Sequence, residues 1–314
     1  MHKNITILYP KSKFTVEQLQ KLEFLNNVSF ADSKSGLENQ VKVSKDTEIL
    51  GFYPDLYGKS ASRILLEILE SCPNIKGVAL NAVNIDCVDK QYCQERGIAI
   101  SVVPDCTTEA VAEHILALLL CASKRIIIND RRTYRRRYQP ELGQELRGKM
   151  LGVIGLGPIG ERVAKLGQGI GMSVIAYNEP ITRMEHVARG TIGEVLYRAD
   201  AVVINLALNE ETKGFLSKER INNLKEGVII INMVNRLLVN EKAMAEALKS
   251  GRVSQYVFEA QSIKGSPFDD IETALVFKPF ASFTKESMQR SIDWWASNIK
   301  GLARGAPHHP ASLE

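Results

Sequence analysis

The sequence predicts an α/β fold made of two doubly wound, Rossmann-like units, each a parallel sheet with helices on both faces. Three observations carry that expectation. Short apolar runs alternate with helical stretches over the first hundred residues. The alternation restarts at Met150, after a basic segment. The second half opens on a glycine-rich turn between an apolar run and a helical stretch. A chain of 314 residues has room for about two domains of ordinary size.

The elements follow in order. Residues 5–9, 48–52, 77–80 and 99–103 read as strands, with helical stretches at 61–71 and 87–95 among them. A long helix starts near Thr108. Apolar residues dominate 110–122, so most of its sides should be buried. Strands then follow at 150–154, 173–177, 201–205, 228–232 and 254–258, separated by helical segments. No solenoid-length repeat or low-complexity tract interrupts them.

Composition excludes several classes. Hydrophobic residues make up 45% and charged residues 24%, as in an ordinary globular protein. No apolar run approaches the ~18 residues that would span a bilayer. The N-terminal stretch up to Pro10 lacks the features of a signal peptide. Five scattered cysteines (Cys72, Cys87, Cys93, Cys106, Cys121) contain no CxxC pair, which argues against a disulfide framework and against a metal site. Reduced, mostly buried thiols in a cytoplasmic protein are the expectation. The formal net charge is +4, concentrated at residues 131–138, where Arg131, Arg132, Arg135, Arg136 and Arg137 stand beside Tyr134 and Tyr138. Such a run is more often a solvated or interface face than a nucleic-acid surface.

The turn Gly155-Leu156-Gly157-Pro158-Ile159-Gly160 is the strongest local signal. Gly155 permits a tight turn, Gly157 lets backbone amides approach a pyrophosphate, and Gly160 lets a helix, read as beginning at Glu161, pack on the strand. The helix N-terminus adds free amides and partial positive charge for the anion. These residues predict a nicotinamide dinucleotide. The next strand should end in an acid for the ribose hydroxyls; here Asn178 stands there, with Glu179 one residue on. Glu179 could reach the ribose and Arg183 could pair with a 2′-phosphate, so NAD and NADP both remain open.

From about Ile75 to Gly305 the chain resembles the D-isomer-specific 2-hydroxyacid dehydrogenase family. The resemblance rests on Asp86-Cys87-Val88-Asp89, the run from Arg96 to Pro104, and Thr108-Glu109-Ala110-Val111-Ala112-Glu113-His114. It extends through Glu145-Leu146-Arg147-Gly148-Lys149 into the glycine loop, then the run from Leu206 to Thr212, residues 241–253 and 284–305. It implies a discontinuous, flavodoxin-like substrate domain of residues 1–104 and 284–314 and a dinucleotide-binding domain of 105–283. It also implies a cleft between them and a dimer that places the arginine-rich segment near the interface. Cofactor contacts are implied at Thr108, Leu206, Ala207, Thr212, Met233, Val234 and Glu259. Substrate contacts are implied at Asn81, Ala82, Val83 and Arg236. Two glycines usual in the substrate loop are Ala82 and Asn84 here.

In that family an arginine clamps the substrate, and a histidine held by a glutamate moves the proton. Hydride transfer to a carbonyl creates an oxyanion that needs both positive charge and a proton. Counting back from Val239-Asn240-Glu241 puts Asn235 at the arginine position, with Arg236 next to it. Phe280 stands at the histidine position, and no histidine occurs between His186 and His308. The glutamate position falls on Lys264, or on Gln261 if Val257-Phe258-Glu259 is aligned with the family's similar tripeptide. His114 reads as a packing or capping residue. Three explanations compete. An ordinary dehydrogenase with shifted residues would need a strand bulge to bring Arg236 to the arginine position, and it has no histidine at the usual place. Two others depart further from the family. One is an NAD(P)-dependent oxidoreductase of oxo- or hydroxy-acid-like substrates with a non-standard active site, using Lys264, Lys278, Tyr256 or Glu259. The other is a dinucleotide-binding sensor or interaction module without turnover.

Overall fold

The computed structural model describes residues 3–23, 25, 27–32, 34–179 and 187–313. It forms two compact units, one of Met1–Cys106 with Lys285–Glu314 and one of Thr107–Thr284.

The first unit holds five parallel strands, β1 (Ile5–Ile7), β2 (Val28–Phe30), β3 (Ile49–Phe52), β4 (Gly77–Leu80) and β5 (Ala99–Ser101), in the order β2-β1-β3-β4-β5. That is the flavodoxin-like doubly wound order. Every residue of β1, β3 and β4 is buried, as the continuous apolar runs require of strands covered on both faces. The helix Lys285–Ala303 lies on one face. Its Trp295 is fully buried and donates its indole N–H to the Ala79 carbonyl at 2.8 Å. Gly51 makes room: a Cβ there would sit 3.2 Å from both Trp295 and Ile299.

Among its described residues the second unit holds seven parallel strands: β6 (Met150–Ile154), β7 (Ser173–Tyr177), β8 (Ala188–Arg189), β9 (Ala201–Ile204), β10 (Val228–Asn232), β11 (Val253–Glu259) and β12 (Ala274–Phe277). Their order is β12-β11-β10-β9-β6-β7-β8. The chain order reverses between β6 and β9, and such a switch point opens a crevice at the carboxyl ends of the strands. One hydrophobic core lies on each face of the sheet. The long helix Thr108–Ser123 buries Ala112, Ile115, Leu118, Leu119 and Ala122 in one of them.

Several details differ from the sequence expectation. Strands β2, β8 and β12 were not expected; each is a sheet edge, paired on one side only. Tyr256, one of the candidates for the chemistry, lies mid-strand and fully buried, and β11 runs on to Glu259. The helix after the glycine loop begins at Pro158 rather than Glu161, since proline's fixed φ suits a first helical turn. The five cysteines are free, and only Cys121 is partly exposed. Among the described residues no helix is long and apolar enough to cross a membrane.

Candidate functional site

The glycine loop leaves the carboxyl end of β6 at the switch point. Gly155 has φ 95°, and a Cβ there would lie 2.8 Å from the backbone oxygen of Asn205, the residue that follows β9. Its N–H donates to the Tyr177 carbonyl at 2.8 Å, tying the turn to β7. A Cβ on Gly160 would collide with the Gly155 carbonyl, so only glycine lets the helix Pro158–Gly169 pack this closely. Gly157 is different: a Cβ there would meet nothing within 4 Å. It faces open space at a helix N-terminus that no side chain caps. Asn205, whose backbone lies against Gly155, has a buried Nδ2 with no hydrogen-bond partner.

These features fit a dinucleotide. An open cradle at an uncapped helix N-terminus suits a pyrophosphate, and the orphaned Asn205 amide suits an acceptor on the bound group. Gly157, Ile159 and Gly160 would hold the phosphates through their backbone amides. Pro158, which has no N–H, would only shape the turn.

The ribose edge is built otherwise than its sequence suggests. Asn178 accepts the Leu156 N–H on its Oδ1 at 2.8 Å, so the side chain shapes the glycine loop itself. Glu179 is exposed and hydrogen-bonded to Tyr177, whose pKa is raised, first by burial and then by that carboxylate. Arg183 lies outside the described residues.

At the end of β9, Leu206 is half-buried and Ala207 exposed. Thr212 closes this loop: its hydroxyl donates to the Ala207 carbonyl at 2.6 Å and its N–H to Asn209 Oδ1 at 2.8 Å. At the end of β10, Asn232 folds the turn. Its Oδ1 accepts the N–H groups of Val234 and Asn235, and its Nδ2 donates to the Asn235 carbonyl at 2.9 Å. Met233 is buried and Val234 exposed.

The two residues nearest the family's arginine position are both engaged locally. Asn235 Oδ1 caps the short turn Arg236–Leu238 by accepting the Leu237 N–H at 3.0 Å. Arg236 does not point to a vacant anion site. Its guanidinium is clamped by Glu241 at 2.5 and 2.8 Å and donates to the Ser262 carbonyl at 2.9 Å. A bulge that would move Arg236 into the arginine position is absent there; the irregularity of β10 against β11 falls at Val228/Ile229, the opposite end.

Three side chains meet at the ends of β11 and β12. Glu259 Oε1 accepts the N–H groups of Phe280 and Ala281, each at 3.2 Å. The Phe280 ring lies 4.9 Å from the His114 ring, centroid to centroid, at 74°. Burial pushes the His114 pKa below the ordinary histidine value, while the Glu259 charge pulls it back up. Lys264, Gln261 and Lys278 are exposed, and no hydrogen bond places their side chains beside Phe280. The glutamate position therefore supplies no acid in either alignment.

Thr108 opens the helix that carries His114, and Glu109 next to it holds Arg162 of the loop helix at 2.8 and 2.7 Å. Asn81, Ala82 and Val83 belong to the first unit, just past β4. Asn81 is buried, accepts from the Ser291 hydroxyl and has an unpartnered Nδ2; Val83 is exposed. The sequence reading missed Asn232, Asn205 and the His114–Phe280 pairing. A polar residue closing an apolar strand is the signal that could have found the two asparagines. The pairing has no local signal. A cavity of about 670 Å³, lined by Met150, Arg198, Lys225 and Arg252, opens at the amino ends of the strands, away from all these residues.

A model of the D-isomer specific 2-hydroxyacid dehydrogenase NAD-binding domain matches residues 116–275. The D-3-phosphoglycerate dehydrogenase of Archaeoglobus fulgidus is 28% identical over 288 residues, covering 87% of this chain and 55% of that protein. The chain spans about half the length of the D-3-phosphoglycerate dehydrogenases it matches. The hydroxypyruvate reductase of Blautia hydrogenotrophica is 29% identical over 256 residues, covering 77% of this chain and 80% of that protein. Among solved structures, an acyclic imino acid reductase in complex with NADPH and D-Arg superposes with a TM-score of 0.79 at 20% identity, covering 98% of this chain and all of that one.

Proposed function

Since the chain belongs to the D-isomer-specific 2-hydroxyacid dehydrogenase family and binds NAD or NADP, we propose that it is an oxidoreductase with a non-standard active site. Its substrate would be a small oxo- or hydroxy-acid-like molecule. The observation that carries the reading is the combination of a complete dinucleotide cradle with displaced chemistry. Gly155 and Gly160 meet the steric needs of the fold and Gly157 leaves its cradle open, while Asn235 caps a turn and Phe280, at the histidine position by count, lies against His114. The cofactor, when bound, supplies or accepts hydride. The chain's own groups there are the amides of Asn232 and Asn235 past β10, the Glu259 carboxylate that ends β11, the Phe280 ring past β12 and the His114 ring on the helix Thr108–Ser123. The backbone past Asn232, through Met233 and Val234, would line the nicotinamide side, and Glu259 would position the loop at Phe280.

The second reading is a dinucleotide-binding module without turnover. What favours it is Arg236, whose cation is consumed by Glu241 rather than offered to an oxyanion. One experiment separates the two. NADH and NADPH are titrated by fluorescence, and their oxidation is followed with a panel of 2-oxo acids, imines and unsaturated acids. Imines enter because a protonated C=N brings its own proton and charge, and because the structurally similar imino acid reductase carries NADPH. Turnover of any member supports the enzyme; tight binding with none supports the module. A cytoplasmic homodimer, paired along the exposed segment that bears Tyr134, Tyr138 and Leu142, completes the proposal.

A further inference from the structure

We propose that His114 is the proton donor and acceptor of this site, acting from the helix Thr108–Ser123 in place of an imidazole at position 280, with Phe280 as its movable cover. The inference rests on the oxidoreductase reading above. The chain lacks a histidine at position 280, yet an imidazole still lies against that position, supplied by another element. Its Nε2 is buried and has no hydrogen-bond partner. Buried polar atoms are nearly always paired, so an orphan at the carboxyl end of a doubly wound sheet calls for a partner that arrives with a ligand.

Phe280 is suited to uncover it. The Phe280 backbone N–H is held by Glu259, but the residue as a whole is 48% exposed, so its side chain is not locked into the core. The charged group that reaches His114 from β11 is Glu259. On the same helix Glu109 is spent on Arg162 of the neighbouring helix, with Glu113 nearby. Glu259 therefore occupies the electrostatic part that an acid beside a catalytic imidazole plays, favouring the protonated ring against burial.

The proton balance closes. In reduction, hydride adds to the carbonyl carbon and the C=O π pair moves to oxygen. The oxygen takes the Nε2 proton, leaving neutral imidazole that is recharged from solvent. In oxidation, neutral Nε2 takes the hydroxyl proton as hydride leaves the carbon. Burial keeps the ring neutral near pH 7, so it is ready as a base. The rate of reduction should fall as pH rises through a value below the ordinary histidine pKa.

The test compares wild type with His114→Gln, using whichever panel substrates the wild type turns over. The expected result is a loss of about a hundred- to ten-thousandfold in kcat, loss of the pH-dependent limb, and an unchanged NADH Kd. Adding Phe280→His to His114→Gln should restore part of the rate. A second readout needs no turnover and no variant: the His114 ring proton in the NMR spectrum of wild type, identified by sequential resonance assignment of the wild-type protein. It should titrate below the ordinary value and shift when oxamate, a 2-oxo acid mimic that accepts no hydride, joins the NADH complex. A His114→Gln protein that keeps its rate and pH limb overturns the His114 role and leaves the oxidoreductase reading standing. If the variant does not fold, a ring signal that ignores oxamate overturns the role instead. Absence of turnover for every substrate overturns the oxidoreductase reading and the His114 role with it.

Discussion

Replacing Gly157 by alanine separates binding from folding in a way the geometry makes quantitative. A Cβ at Gly157 touches nothing within 4 Å, and its φ of −76° is open to any residue. Two small effects on stability oppose each other. Alanine lowers the unfolded chain's entropy, worth ~0.4–1 kcal/mol, and is a poorer N-cap than glycine by a similar amount. The melting temperature should move by no more than about 3 °C. Binding is another matter, because the methyl occupies the cradle through which backbone amides would reach a phosphate. Losing one charge-assisted hydrogen bond costs about 1.5–3 kcal/mol. At 1.4 kcal/mol per decade, NADH affinity should drop roughly ten- to hundredfold. Gly155→Ala is the contrast: at φ 95° the new Cβ would press on the Asn205 backbone, so stability should fall by roughly 2 kcal/mol or more. NADH fluorescence titration and thermal melts of both variants give the answer. A Gly157→Ala protein that melts normally and binds NADH within threefold of wild type would refute the placement of the pyrophosphate.

Three further outcomes follow from the same structure. Burial works against the Asp200 carboxylate, but Lys225 at 2.7 Å, the Met150 N–H and Lys149 outweigh it and hold its pKa below the ordinary value. A depressed folded pKa means stability that is present above the unfolded value of about 3.9 and lost as pH falls through the folded one. Asp200→Asn should therefore cost roughly 1 kcal/mol at pH 7, discounted for the half-exposed lysine, and nothing at the bottom of an acid titration followed by circular dichroism. Glu241→Gln should lower stability by roughly 1–2 kcal/mol and leave 2-oxo acid reduction no faster, since Arg236 is a structural clamp rather than a substrate ligand held in reserve. A gain in rate would show the opposite. Leu142 is 96% exposed and Tyr138 also projects into solvent. Light scattering should find a dimer for wild type and a smaller species for Leu142→Glu; an unchanged mass for the variant removes this segment from the interface.

Most of the fold was legible because periodicity reports burial directly. Runs such as Val228-Ile-Ile-Ile-Asn232 lie between neighbours on both sides with a core on each face, and they read as continuous apolar stretches. The edge strand β5 was legible, but the edges β2, β8 and β12 were not; β8 is only two residues long and exposed. The turn at Gly155 and the close packing at Gly160 were legible because their constraints are steric and local. Gly155 needs positive φ, and Gly160 needs the absence of a Cβ. Asn178 shows the limit of that logic. Its place after β7 suggested a ribose contact, but the side chain turns back to the Leu156 amide.

The catalytic positions show a deeper limit. Counting along β10 and β12 compares what stands at a register position, so it identifies Asn235 and Phe280 as substitutions. It cannot show what the neighbouring elements bring to the same point in space. Arg236, one step from the arginine position, was the natural candidate to rescue the missing charge, and it is the residue most fully consumed by its own neighbours. His114, far away in sequence and read as a packing residue, carries the buried nitrogen with nothing to bond. A side chain that already has partners is poor material for chemistry, because a substrate must first break those bonds. One without partners holds that capacity in reserve. By this criterion the loss of an imidazole at position 280 does not empty the site of proton chemistry, and the residue to change first is His114.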